Sequence, residues 1–449
     1  MIPVLGGGPA GRIAAIRLAH AGKEVELIEK RRIGGQCLHH GCMVICALSD
    51  VARLLRQSRM LSDLQVIDTA PNVSFPNLLR EMQEIQKRIE GVLDAETRNA
   101  GVTIRYGSSG AVQGRDVLVD EEPVEAEAVI IATGSRPRIP DVPGLTLAGV
   151  FNPHTLSTMD RLPQRMAIIG CGIMGVEFAH IFHAFGAEVH LLCRSSFLKT
   201  LDPTLRRQAE KELQGVHIEE NSGVRSIDGD GAVRAVTVEQ KGVEEQIEVD
   251  AVFLASGLTP RSECVEGIVK GPLGEVCVDG RMRTSMEGVY ACGDVTGPPY
   301  LTPVARMEGI VAADNILGKE RRMDYSHIPQ SISLGNDLAF SIPQTDADIS
   351  VAVPAPAGPG SFWSVPKGGT GVAKVMVDSE SGRICGAALA APCAAVTMHY
   401  LAHTMQSGGT VFDFEEFIET HPTTDGIFSL AKYLAERIRK ERAGDRTSF

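Results

Sequence analysis

The sequence predicts an α/β fold in which two doubly wound domains are followed by a smaller α+β domain. Three observations lead there. A Gly-x-Gly-x-x-Gly pattern occurs twice, each time between a short apolar strand and a segment of helical period. Each of these segments runs into a second strand, which completes a β-α-β unit. After residue 326 the chain changes character, to strands joined by turns and then helices. At 449 residues the chain is long enough for about three such units rather than one core.

The first unit is IPVLGGGPAGRIAAIRLAHAGKEVELIEK, with Gly6, Gly8 and Gly11 at the turn and Glu29 closing the second strand. Glycines at this spacing allow a tight turn, admit a pyrophosphate close to the backbone and pack the helix on the sheet. An acidic residue about 20 positions on accepts ribose hydroxyls. Pro3 is a misfit, because it removes an N–H from a strand expected to be central. The second unit, RMAIIGCGIMGVEFAHIFHAFGAEVHLLCRS, repeats the pattern with Gly170, Gly172 and Gly175. Two such Rossmann-like units predict two dinucleotides. The second strand of this unit ends in Cys193 and Arg194, where a loop selective for NAD places a carboxylate. Arg194, with Lys199 nearby, suits a 2′-phosphate, so NADPH is favoured over NADH.

Hydrophobic residues make up 43% of the chain and charged residues 22%, an ordinary balance for a globular enzyme. No unbroken apolar run of about 18 residues marks a membrane helix. A net charge of -12 argues against a general nucleic-acid surface, so neither membrane nor nucleic acid is expected as a partner. The glycine-rich turn begins at residue 6, which leaves no room for a leader segment and makes a cytoplasmic location the expectation. Ten scattered cysteines then read as free or catalytic thiols rather than a disulfide framework.

Three of these cysteines, Cys37, Cys42 and Cys46, fall in GGQCLHHGCMVICAL. The Cys37/Cys42 pair could bind a metal, staple the fold or move electrons. A tetrahedral sulfur site needs a second closely spaced cysteine pair, which the sequence lacks, so no metal is expected. Cys42 stands near the start of the helical segment CMVICALSDVARLLRQ, where unpaired N–H groups and the helix dipole favour a thiolate. His180/His183 and His399/His403 recur at one-turn spacing without carboxylate or thiol companions and suit packing better than a metal. Cys171, Cys193, Cys264, Cys277, Cys292, Cys385 and Cys393 read mostly as small core residues.

With AVIIATGSRPRIPDVPG, GVYACGDVTGPPYLTPVARMEG and HPTTDG, the order of signatures resembles the class I pyridine nucleotide-disulfide oxidoreductases over essentially the whole chain. This is the family of dihydrolipoamide dehydrogenase, glutathione reductase and mercuric reductase. The resemblance implies a homodimeric FAD enzyme that passes electrons between a nicotinamide and a small-molecule or carrier-bound disulfide or dithiol. It divides the chain into an FAD-binding domain (1–145 and 275–325), an NAD(P)-binding domain (146–274) and a dimerisation domain (326–449). Cys37 would be the interchange thiol and Cys42 the charge-transfer thiol over the flavin. Glu29 would hold the adenosine ribose, Thr133 and Gly134 would line the cofactor, and Asp294 would contact its ribityl or phosphate region. A helix beginning near Thr302 would aim its first N–H groups at flavin N1 and the C2 carbonyl. His421 would enter the partner subunit's site as general acid/base for Cys37, a task that suits an imidazole of pKa about 6.5.

The sequence also departs from that family. Met43, Val44, Ile45 and Cys46 replace the usual Ile-Pro-Ser-Lys after the second cysteine, so the lysine that pairs with the glutamate of the second nucleotide helix, here Glu177, is gone. An unpaired buried Glu177 should protonate or recruit another cation. Cys46 falls one turn from Cys42 and occupies the lysine's place. The usual His-Pro-Thr-x-x-Glu becomes His421-Pro422-Thr423-Thr424-Asp425-Gly426, with Asp425 one residue early, about 100° away on a helix. Mercuric reductase fits poorly, because AGDRTSF offers no C-terminal cysteine pair. These departures keep two alternatives open: an oxidase, quinone reductase or transhydrogenase, and a redox-responsive binding subunit with weak turnover.

Overall fold

The computed structural model describes residues 1–341, 347–423 and 426–443. The first sheet has five parallel strands in the spatial order Val289–Ala291, Val129–Ile131, Ile2–Leu5, Val25–Glu29, Thr103–Tyr106. Its central strands are buried on both faces, as parallel strands covered by helices must be. Val289–Ala291 joins this sheet from beyond the second nucleotide unit, so two distant stretches of chain build one domain. Pro3 is accommodated by its position. Ile2 and Gly6 donate their N–H groups toward the Val25–Glu29 side, so Pro3 faces Val129–Ile131, where pairing begins only at Val4.

The second sheet repeats the plan, with parallel strands ordered His217–Glu220, Glu188–Cys193, Arg165–Ile169, Ala251–Leu254, Val150–Phe151. In both units the last glycine of the turn packs against the first. A Cβ on Gly11 would lie 2.1 Å from the Gly6 carbonyl oxygen, and one on Gly175 would lie 1.8 Å from that of Gly170. Each helix therefore starts hard against its own strand, which only glycine permits.

The C-terminal domain holds an antiparallel sheet ordered Gln330–Ser333, Asp337–Ser341, Ile384–Ala391, Val372–Val377, Ile349–Pro354, larger than the strand pair read from the sequence. The expected turn at Ser381 and Gly382 joins two of these strands, and the helices Ala394–Gln406 and Ile427–Arg442 cover one face. Of the cysteines read as core, Cys193, Cys292 and Cys385 are buried and Cys171 and Cys264 half-buried. Cys277 and Cys393 are exposed, because both fall in loops rather than in strands or helices.

One helix connects the three domains. Cys42–Asp63 runs for 22 residues and buries Val44, Leu48, Ala52 and Leu55 against Val176 and Phe178 of the helix Ile173–Phe185 and against Ile332 and Leu334 of the C-terminal domain. With the short helix before it, this stretch (Gly35–Asp63) contains an 18-residue window whose mean hydropathy is 1.3, enough by length and composition to cross a membrane. The reading of the sequence passed over it because His39, His40 and Gly41 interrupt the run. Its buried stripe is that of a helix packed within a core.

Candidate active site

The two candidate redox cysteines lie at a helix junction. Cys37 belongs to the short helix Gly35–His39, and Cys42 is the first residue of Cys42–Asp63, after Gly41. The Cys37 thiol donates a hydrogen bond to the Cys42 sulfur, and the Thr302 hydroxyl stands 3.4 Å from the same sulfur. The hydrogen bond from Cys37 is the main reason that the Cys42 pKa falls to about 6; Thr302 and the Cys42 backbone N–H add to it. The same bond, with burial, holds Cys37 well above the usual thiol range. The shared proton therefore resides on Cys37 and the negative charge on Cys42. Arg306, one turn beyond Thr302, places a cation near Cys37 that the sequence reading did not single out.

The residues that could hold FAD converge beside this pair. A Cβ on Gly8 or Gly134 would meet nothing within 4 Å, so both glycines border open space. Glu29 accepts hydrogen bonds from the Gly7 and Arg31 N–H groups, each at 2.7 Å, which fixes its carboxylate at the rim of the glycine turn. Asp294 is largely buried, accepts one hydrogen bond from Ser135 at 2.6 Å and has its pKa raised by desolvation. The Thr133 hydroxyl donates to the Arg261 carbonyl at 2.6 Å and so ties the ATGS turn to a distant segment. Thr302 begins the helix Thr302–Ile316, as the sequence predicts. An open glycine cradle, a carboxylate at its rim and a helix start next to Cys42 fit FAD.

In the second unit Gly172 likewise borders open space at the start of Ile173–Phe185, which fits a second dinucleotide. Arg194 and Lys199 are exposed just past the strand end. Glu220, one strand over, is a carboxylate that the sequence reading did not weigh. It is paired with Arg206 at 2.5 Å and accepts from the Phe197 N–H at 2.6 Å, which offsets its charge beside the strand end that carries Arg194.

Glu177 is buried where the three domains meet. Its carboxyl accepts the Ser333 N–H at 2.8 Å, and desolvation raises its pKa to about 8. The nearest cationic influence is Arg53, but that guanidinium is engaged by Asp337 at 2.5 Å and by the Leu334 carbonyl at 2.9 Å. Burial without a close, uncommitted cation favours the protonated carboxyl of Glu177 near neutral pH. Cys46 keeps an exposed surface, but partial desolvation of its thiol, followed by the nearby charges of Cys42, Asp50 and Glu177, raises its pKa.

His421 is not brought to Cys42 of its own chain. It lines a cavity of about 620 Å³ with Gln57, Met60 and Trp363. Gln57 is fifteen residues along the helix from Cys42, about 22 Å at 1.5 Å per residue. His421, Pro422 and Thr423 precede the helix that starts at Ile427, so a helical phase does not describe them. Thr424 and Asp425 lie outside the described residues.

Two histidine groups escaped the sequence reading. The His40 and His154 rings stack at 4.1 Å, and His154 lies 3.3 Å from the Gln36 side chain. Burial and nearby positive charge lower their pKa values to about 3 and about 4, so both are neutral near pH 7 and neither serves as a proton donor there. Among the described residues, Glu188, His190 and His217 bring ligand atoms within 4.8 Å of one another, at the strand end opposite Arg194. His180 is buried and His183 half-buried in Ile173–Phe185, in keeping with packing roles.

The chain was compared with known proteins. A family model described as pyridine nucleotide-disulphide oxidoreductase matches residues 2–309, and the dimerisation-domain model of the same family matches residues 349–431. The chain is 29% identical to a dihydrolipoyl dehydrogenase of Chlamydia trachomatis, covering 96% of each. It is 27% identical to a mercuric reductase of Staphylococcus aureus, over 92% of this chain and 78% of that one. Among solved structures, the HOCl-induced flavoprotein disulfide reductase RclA from Escherichia coli superimposes with a TM-score of 0.82 at 25% identity, over 97% of this chain and 98% of that one.

Two predictions test the site. In the reduced protein, alkylation of Cys42 by iodoacetamide should rise with a midpoint near pH 6, the point above which the thiolate forms. Cys37→Ala should move that midpoint up toward about 8.5, and Thr302→Val should move it up by less. The reverse order would assign the charge to Thr302 instead. Glu177 should show a protonated-carboxyl infrared band that fades as the pH rises through about 8 and is absent in Glu177→Gln. Cys46→Lys should shift that midpoint below 7 by supplying a cation, and an unshifted midpoint would show that residue 46 does not reach Glu177.

Proposed function

The chain belongs to the pyridine nucleotide-disulphide oxidoreductase family and is an FAD-dependent disulfide oxidoreductase, and from that premise we propose that it reduces a small or carrier-bound disulfide at the expense of NADPH. The observation that carries this reading is the Cys37/Cys42 pair, which shares one proton at the start of a helix, with the charge on Cys42. When bound, FAD supplies the two-electron connection between the nicotinamide and this pair.

The thiol chemistry follows from the asymmetry of the pair. Cys37 loses its proton to a base and attacks one sulfur of the substrate, forming a mixed disulfide and expelling the first thiolate. The Cys42 thiolate then attacks the Cys37 sulfur, closing the Cys37–Cys42 disulfide and expelling the second thiolate. Each departing thiolate takes up one proton. Within one chain none of these three imidazoles is placed as the donor, since His40 and His154 stay neutral near pH 7 and His421 faces the far part of the helix. His421 of a second copy is the proposed donor and base. A homodimer is further supported by the match to a dimerisation domain and by the exposed Phe362, Trp363, Val396, Tyr400 and Ile418 of that domain.

Selection of NADPH rests on Arg194, exposed at the end of the strand, and on the pairing of Glu220 by Arg206.

Anaerobic titration with NADPH is the test of the thiol reading. The FAD-loaded wild type should take up a second equivalent of NADPH per flavin that Cys37→Ser and Cys42→Ser do not, and equal uptake by all three would reject the disulfide role. Arg194→Glu should lower the ratio of kcat/KM for NADPH to that for NADH by about tenfold or more, since hydrogen bonds to charged groups contribute about 1.5–3 kcal/mol. A wild type that already prefers NADH would reject the coenzyme assignment.

A further inference from the structure

A second pair of thiols meets at the coenzyme loop, and the disulfide chemistry described above does not use it. Cys171 stands between Gly170 and Gly172, and Cys193 ends the strand Glu188–Cys193. The register pairs Ile169 with Leu192, and the Gly170 N–H donates to the Leu192 carbonyl at 3.0 Å, so the two chains leave the sheet side by side. Cys193 is fully buried, and the half-buried Cys171 packs against the same core. The two thiols lie close enough to bias each other's ionisation, while the Cys193 thiol donates to the Leu191 carbonyl at 3.7 Å and the Cys171 thiol to the Ser196 carbonyl at 3.9 Å. Continuing that register sets Gly170 opposite Cys193, so Cys171 follows one residue on, in the turn beside the strand end.

We propose that Cys171 and Cys193 are a reversible oxidation site whose disulfide weakens binding of the nicotinamide coenzyme. The inference rests on the reading that the second glycine loop holds that coenzyme. The contact with Cys193 and the surrounding backbone N–H groups lower the Cys171 pKa, and Cys171 is the more accessible of the two, so it is the nucleophile. With hydrogen peroxide as oxidant, the Cys171 thiolate attacks the peroxide O–O bond, gives a sulfenic acid and releases hydroxide, which becomes water on taking a proton. Cys193 then attacks the sulfenic sulfur, a second water leaves, and the S–S bond forms. The two sulfurs lose two electrons in total, and both are gained by the peroxide. A dithiol reverses the change by exchange.

The bond requires the sulfurs to close to about 2.05 Å. The loop is closely packed on its strand side, where a Cβ on Gly170 would lie 2.4 Å from the Ala255 carbonyl oxygen and one on Gly175 1.8 Å from the Gly170 carbonyl oxygen. The strain falls on Cys193 and the adjoining Arg194, where the coenzyme ribose is to be recognised. Bound coenzyme must in turn disfavour the disulfide, since coupling between two equilibria is reciprocal.

The test uses the FAD-loaded full chain. Peroxide treatment, alkylation of the remaining thiols and peptide mass mapping should reveal a Cys171–Cys193 cross-link that dithiothreitol removes and prior NADPH suppresses. Direct titration calorimetry with the non-reducing NADP+ should show binding weakened by at least about fivefold in the cross-linked protein, the lower end of ordinary coupling between sites. In Cys193→Ser the cross-link should be replaced by a dimedone adduct at Cys171. A protein that forms the Cys37–Cys42 disulfide but no Cys171–Cys193 bond overturns the proposal, as does a cross-linked protein of unchanged NADP+ affinity. Reduced protein that binds neither NADPH nor NADH would instead overturn the coenzyme reading, and the proposal would fall with it.

Discussion

The burial of one face of Cys42–Asp63 against Ile173–Phe185 is the constraint on which the rest of the site depends. Val44, Leu48, Ala52 and Leu55 belong to the same continuous core as Val176, Phe178 and Ile332, so one helix is held simultaneously by residues of all three domains. Ion pairs extend the hold along its length, from Arg53 to Asp337 and from Arg56 to Glu212. A helix fixed in this way presents its first turn at a set place and angle. That first turn carries Cys42. The reactive sulfur is thus positioned by packing more than by the short loop that precedes it, and the Thr302 helix can meet it at 3.4 Å without a local tether.

The same arrangement decides the electrostatics. A thiolate at a helix start is favoured by the unpaired N–H groups there, and the hydrogen bond from Cys37 adds the larger share. The stacked His40 and His154 do not compete for the proton, because both are half-buried near arginines and stay neutral. Under the proposed role of His421 of the partner subunit, the acid/base chemistry would be linked to the dimerisation domain.

Much of this was legible in the sequence where a local rule applied. The glycine turns, the helix beginning at Cys42 and the helix beginning at Thr302 are each written in a few neighbouring residues, and the structure forms them where those residues stand. The contacts that complete the site were not legible, because they join residues far apart. Ser135 reaches Asp294 across 159 positions and His154 reaches Gln36 across 118, and no periodicity or spacing records such a pair. Pro3 shows the opposite case, a local rule that was sound but incomplete. Its missing N–H matters only where a neighbouring strand is present to receive it, and that strand starts one residue later.

The loss of the lysine at position 46 changes less charge than it first suggests. A lysine and an ionised glutamate carry no net charge between them, and neither do a neutral thiol and a protonated carboxyl. Glu177 is neutral below pH about 8, held by desolvation and by the Ser333 N–H, so replacement of the cation is matched by loss of the anion. What differs is the response to pH. An ion pair holds its charges over a wide range, whereas a lone buried carboxyl ionises as the pH rises through about 8 and then places a bare negative charge within reach of the Cys42 thiolate. Arg53 attenuates that charge but is already committed to Asp337. Ionisation of Glu177 would therefore set a second negative charge near the Cys42 thiolate, where an ion pair would have kept the carboxylate compensated.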